Sequence, residues 1–127
     1  MLLAPMFKAA GDPMRLDILR IMQRDSFGVL ELCKVFEVQQ PSMSHHLKVL
    51  SKAGLVATRR EGNSIFYRRA SAAEAEEQAQ LAAFYELVDA SPVADDLAEK
   101  VGSIQANRRA QATEFFRENA HRFREQQ

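Results

Sequence analysis

The sequence predicts a mainly α fold with one small β-hairpin, and three observations carry that expectation. Apolar residues recur at helical spacing along most of the chain. The period switches to strand-like alternation only over 55–70. A Gly62-Asn63 turn dipeptide sits in the middle of that stretch. Composition agrees: 127 residues with 46% hydrophobic and 27% charged side chains suit a compact globular chain rather than a disordered one. Nowhere do eighteen apolar residues run together, so no membrane span is expected. With a single cysteine, Cys33, no internal disulfide can form, and a cytoplasmic setting without a secretory signal is the expectation.

Each element follows from local signals. Residues 2–9 can form a short helix with Leu3, Met6 and Phe7 on one face. Asp12-Pro13 starts a second helix, because the carboxylate accepts from free amides and proline loses nothing at the first helical position. That helix runs to about Arg24, with Leu16, Ile18, Leu19, Ile21 and Met22 as a wide apolar face. After Asp25-Ser26-Phe27-Gly28, a third helix over about 29–37 aligns Val29, Leu32, Cys33 and Phe36. A fourth over about 41–53 turns Met43, His46, Leu47 and Leu50 inward and stops at Gly54. Two strands, 55–61 and 64–70, follow. Ser71 and Glu74 then offer a capping box for a helix of about 72–90. Ser91-Pro92 restarts a helix to about 106 with a Val93, Leu97, Val101, Ile104 stripe, and a last helical stretch over 107–125 carries Phe115, Phe116 and Phe123.

The order of these elements is that of a winged helix-turn-helix with extra C-terminal helices. Residues 1–90 would be the DNA-binding and dimerisation domain, and 91–127 a helical extension. The formal net charge is zero, but residues 1–70 hold eleven Lys and Arg against six Asp and Glu, and residues 71–127 the reverse, six against eleven. A phosphate backbone would be drawn to the first part and repelled by the second. The outer face of the 41–53 helix and the hairpin supply the matching chemistry. Gln40, Ser42, Ser44 and His45 can hydrogen-bond base edges or set register. Lys48, Lys52, Arg59, Arg60, Arg68 and Arg69 can neutralise phosphates, while Gly62 and Asn63 shape the tip of the wing. Double-stranded DNA is therefore the expected partner.

The strings FKAAGDPMRLDILR (7–20), QPSMSHHLKVL (40–50), AGLV (53–56) and RREGNSIFYR (59–68) resemble the ArsR/SmtB family of bacterial transcriptional repressors. The resemblance covers about residues 6–70. It implies a homodimer on an operator with dyad symmetry, released by an effector. It also implies a recognition helix over 41–53, a wing over 55–69, and a dimer interface built by the first helix and the helix after the wing. On this sequence that interface comprises Leu3, Met6, Phe7, Leu81, Phe84, Tyr85 and Val88.

Two features set the chain apart from the metal-sensing members. Those that sense arsenic resemble Leu32-Cys33-Lys34-Val35 but carry a second cysteine where Val35 stands, and soft metals want two or three thiolates. Those that sense zinc place acidic and histidine ligands on the helix after the wing, whereas the three histidines here are His45, His46 and His121. His45 and His46 point about 100° apart on a helix and do not chelate. No metal and no cofactor is therefore expected, and a small-molecule effector takes the metal's place. Cys33 reads as a small buried hydrophobe, His46 as a packing residue with a hydrogen bond, and His121 as a surface residue. No phosphate loop, HExxH or nucleophile elbow is present, so no enzyme is expected.

The C-terminal third admits three readings. It can extend the dimer interface, with its stripe buried against the partner and Phe115, Phe116 and Phe123 on the outside. It can be a surface helix tail. Or TEFFRENAHRF (113–123), with SFGVLELC (26–33), can resemble members in which such a domain precedes a methyltransferase-like domain, which implies S-adenosylmethionine or S-adenosylhomocysteine as ligand. A winged-helix module used only for protein assembly is the remaining alternative, and the basic face over 41–70 is what such a module does not require.

Overall fold

The computed structural model describes residues 3–125. In chain order the elements are α1 (Leu3–Ala10), α2 (Pro13–Ile21), β1 (Phe27–Gly28), α3 (Val29–Phe36), α4 (Gln40–Lys52), β2 (Val56–Glu61), β3 (Ser64–Arg69), α5 (Ala75–Asp89) and α6 (Asp95–Glu125). Local chemistry explains most of the boundaries. The Asp12 carboxylate accepts from the Arg15 N–H at 3.0 Å and Pro13 opens α2. At the start of α3 the Glu31 carboxylate reaches back to accept from the Gly28 N–H at 2.9 Å. Gly54, at φ +79°, ends α4 and lets the Leu55 N–H donate to the Leu50 carbonyl at 3.0 Å. Gly62, at φ +60°, supplies the left-handed residue that the two-residue hairpin demands.

The core lies where α2, α3, α4 and the base of the sheet meet. Ile18, Leu19, Phe27, Leu32, Met43, Leu50 and Leu55 are completely shielded from solvent. Burying a residue of this size stabilises the fold by about 1.5–3 kcal/mol. The sheet has three strands in the order β1-β3-β2, all antiparallel. β1 was not expected: two residues carry no period, yet Phe27 pairs with Tyr67 and Gly28 with Phe66, tying the helix-turn-helix to the wing.

Three expectations are corrected. The Ser71–Glu74 capping box does not form, because α5 begins only at Ala75 and its N-cap, Glu74, makes no side-chain cap. The C-terminal helices are one helix, α6, since nothing at 106–107 breaks it. Its stripe packs within the chain rather than waiting for a partner: Leu97 and Ile104 are buried, and Val93 and Val101 lie against the same core. Phe115 and Phe116 are exposed, while the side chains of His121 and Phe123 lie outside the described residues.

Candidate nucleic-acid interface

Amphipathic spacing sorts the side chains of α4. Met43, Leu47 and Leu50 sink into the core, which leaves Gln40, Ser42, Ser44, His45 and Lys48 on the solvent face. Lys52, at the end of the helix, is exposed as well. His46 falls between the two faces. It is half-buried, and its Nδ1 accepts from the Arg15 guanidinium at 3.2 Å; since arginine can only donate, Nδ1 carries no proton there. Burial holds the His46 pKa below its ordinary value. The positive charges of Arg15 and His45 act in the same direction, against the opposing pull of Asp12. Arg15 is itself anchored by donating to the Ala9 carbonyl at 2.6 Å, so α1, α2 and α4 are pinned together behind the exposed face.

The wing stands beside this face. Cross-strand pairing alternates its side chains between two sides. Arg60, opposite Ile65, lies on the same sheet face as Tyr67. Arg59, opposite Phe66, shares the other face with Arg68. Ile65 and Tyr67 line a groove of about 560 Å³ together with Gln40 and Ser44 of α4 and Asn63 at the wing tip; its floor is Gly28–Glu31. Arg59 and Arg68 instead border a separate cleft of about 470 Å³ with Gln23, Arg24 and Ser26. Arg59 pairs with Glu61 at 2.9 Å, but both are more than half exposed, so the pair is weak and breakable. Among the described residues, the side chains of Gln40, Ser42, Ser44, His45, Lys48, Arg60 and Arg68 form no hydrogen bond or ion pair with one another or with the rest of the chain.

Arg69 departs from the expectation. Its side chain is 12% exposed, and its guanidinium forks onto Asp89 at 2.5 and 2.8 Å. It also donates to the Leu19 carbonyl and stacks over the Tyr85 ring at 4.7 Å. With its donors spent inside the fold, Arg69 joins the wing to α2 and α5 and is removed from the basic face.

The expected dimer surface is likewise thinned. Met6, Phe84 and Val88 are buried within a single chain, and Leu81 and Tyr85 pack against its core. The Tyr85 hydroxyl donates to the Leu55 carbonyl, and burial pushes its pKa up to about 12. What remains outside is Leu3, Phe7 and, unforeseen, Leu87, the last 63% exposed. Phe7 and Leu87 rim a shallow apolar cleft of about 230 Å³ between α1, α2 and α5. Cys33 is half-buried against the core, and no group of three metal-ligating side chains exists among the described residues.

Arg15 and Arg108 were missed by sequence reasoning. For Arg108 a signal exists: it continues the Leu97, Val101, Ile104 spacing by one more turn, so it faces the body.

The profile described as the bacterial regulatory protein, arsR family matches residues 12–58, which spans α2 to the first strand of the wing. An uncharacterized HTH-type transcriptional regulator of Methanocaldococcus jannaschii is 45% identical over 67 residues, half of this chain and 73% of that protein. The transcriptional repressor SdpR of Bacillus subtilis is 34% identical over 48% of this chain and 68% of its own length. A homodimeric winged helix-turn-helix DNA-binding domain from Mycobacterium bovis, described as a possible ArsR-family regulator, superposes with a TM-score of 0.56 at 30% identity. That superposition covers 68% of this chain and 77% of the other. Sequence and architecture agree over the same elements that carry the exposed polar face, and the chain belongs to the ArsR family of bacterial regulatory proteins.

Proposed function

We propose that the protein is a homodimeric transcriptional repressor that binds double-stranded DNA in a sequence-dependent way, in the cytoplasm, and acts by binding rather than catalysis. The observation that carries this reading is the row Gln40, Ser42, Ser44, His45, Lys48, exposed along α4 and flanked by a wing bearing Arg59, Arg60 and Arg68. A helix of this kind fits a major groove about 12 Å wide. Ser42, Ser44, Gln40 and His45 then face base edges, while Lys48 and the wing arginines lie beside phosphates. Gly62 and Asn63 place the wing tip against the neighbouring backbone. Two copies related by a two-fold axis would demand an operator with dyad symmetry, its half-sites about one helical turn apart. The exposed Leu3, Phe7 and Leu87 support dimerisation through α1 and α5. The effector in this reading is a non-metal small molecule, supported by the single half-buried cysteine.

Selection of sites from a random duplex pool, followed by anisotropy titration at several salt concentrations, tests the reading. An inverted repeat bound tightly is the expected result. His45→Ala should then narrow the gap between operator and mismatched DNA. Arg60→Ala should weaken all DNA about equally and reduce the salt slope by about one. Weak binding without preference, lost as salt rises, would overturn the repressor reading.

A further inference from the structure

Arg108 lies 77 residues after Glu31, in α6, yet its guanidinium meets the hinge between the two halves of the candidate interface. Its Nε donates to Glu31 Oε2 at 2.9 Å and its Nη2 to Glu31 Oε1, a fork onto one carboxylate. Nη2 also donates to the Ser26 carbonyl at 2.8 Å, and Nη1 to Asp25 at 3.3 Å. The charge lies 5.4 Å from the centre of the Phe27 ring and 5.9 Å from that of Phe66. One side chain of α6 therefore touches the loop before β1, the first turn of α3 and β3, the second strand of the wing.

The placement matters because Gly28–Glu31 is the floor of the groove between α4 and the wing. Glu31 holds that floor twice. It accepts from the Gly28 N–H, closing the start of α3, and from Arg108 behind it. Burial raises the Glu31 pKa, but these two donors outweigh it and keep the carboxylate below its ordinary value. Glu31 lines the groove together with Gln40 and Ser44, and Arg108 braces it from α6 without lining that groove.

We propose that Arg108, through Glu31, is a positioning residue for DNA binding: it sets the angle between the helix-turn-helix and the wing without touching DNA. The inference rests on the repressor reading above. It makes α6 a working part of the DNA-binding head rather than an appendage.

The test uses the full chain and the operator recovered by selection, with Arg108→Gln, Arg108→Lys, Glu31→Gln and the Arg108→Gln/Glu31→Gln double variant. Titrations run well below the unfolding midpoint of each. Arg108→Gln should lose about tenfold in operator affinity. Its affinity for random duplex and its salt slope should stay unchanged, because no phosphate contact is lost. Arg108→Lys should not restore binding, since an ammonium cannot fork onto a carboxylate. Glu31→Gln is the sharper variant. Removing a negative charge beside the interface would strengthen DNA binding if bulk electrostatics ruled, whereas loss of positioning weakens it. The double variant should be no worse than the poorer single one.

A salt slope lowered by about one in Arg108→Gln would make the residue a phosphate contact and overturn the proposal. A lower midpoint of unfolding with operator affinity intact would make it merely structural and overturn it too. If Arg108→Gln does not fold, Glu31→Gln, which keeps the arginine and its other acceptors, decides: weaker operator binding upholds the proposal, and equal or tighter binding overturns it. Failure of the wild-type chain to select any operator would sink the repressor reading itself, a result distinguishable from variants that bind like wild type.

Discussion

Arg69 donates two short hydrogen bonds to the Asp89 carboxylate behind the wing, and the same guanidinium donates to the Leu19 carbonyl. Arg69→Ala strands the Asp89 carboxylate in a poorly hydrated site, while the Leu19 carbonyl keeps the Met22 N–H as a donor; the loss should be about 2–4 kcal/mol by urea titration. It should leave the salt dependence of DNA binding unchanged, in contrast to Arg60→Ala. Tyr85→Phe is milder. The Leu55 carbonyl keeps the Ala70 N–H as a donor, so the loss should be about 1 kcal/mol. His46 makes stability depend on pH. Its folded pKa lies below the ordinary 6.5, so the folded state binds fewer protons than the unfolded one. Stability contributed by the neutral ring is thus present above pH 6.5 and is lost as pH falls from there through the folded value. Urea midpoints measured between about pH 7.5 and 5.5 should fall, and His46→Gln should flatten that fall. The carboxylates with lowered values, Asp12 and Glu31, act only at more acid pH, below 3.8 and 4.5 respectively.

Elements differ in how much of them a sequence displays. α4 and the hairpin were legible because each is set by near neighbours: an apolar stripe, a stop at Gly54, a turn at Gly62-Asn63. β1 was not legible, since two residues pair only after Tyr67 and Phe66 have been brought to them from forty positions away. The capping box at Ser71 misled for the opposite reason, a local rule overruled by the path that the chain must take from β3 to α5. Residue type alone also failed at the wing. Arg68 and Arg69 are adjacent, yet strand alternation exposes one and half-buries the other. On α1 and α5, burial within one chain leaves few apolar groups for a partner. Leu87→Glu should therefore shift sedimentation toward monomer at micromolar concentration with little loss of monomer stability, because Leu87 is already 63% exposed. An unchanged dimer would place the interface elsewhere.

For the whole molecule, zero net charge hides a polar division, with an excess of basic residues before position 70 and of acidic ones after it. With Arg69 removed from the count, the repressor reading sets the exposed Lys48, Lys52, Arg59, Arg60 and Arg68 against phosphates. A plot of log affinity against log salt should then have a slope of about −4 per protomer. A slope near zero would mean that the basic face does not meet the backbone. The long terminal helix adds one more property. Up to Arg108, α6 is bolted to the body by Leu97, Ile104 and the Glu31 fork; from 109 to 118 every residue is exposed. The same unbroken helix thus passes through two regimes of backbone protection. Amides before the clamp should exchange with deuterium only when the core opens. Those after it are guarded by helix propensity alone, and should exchange orders of magnitude faster, as a marginal isolated helix does.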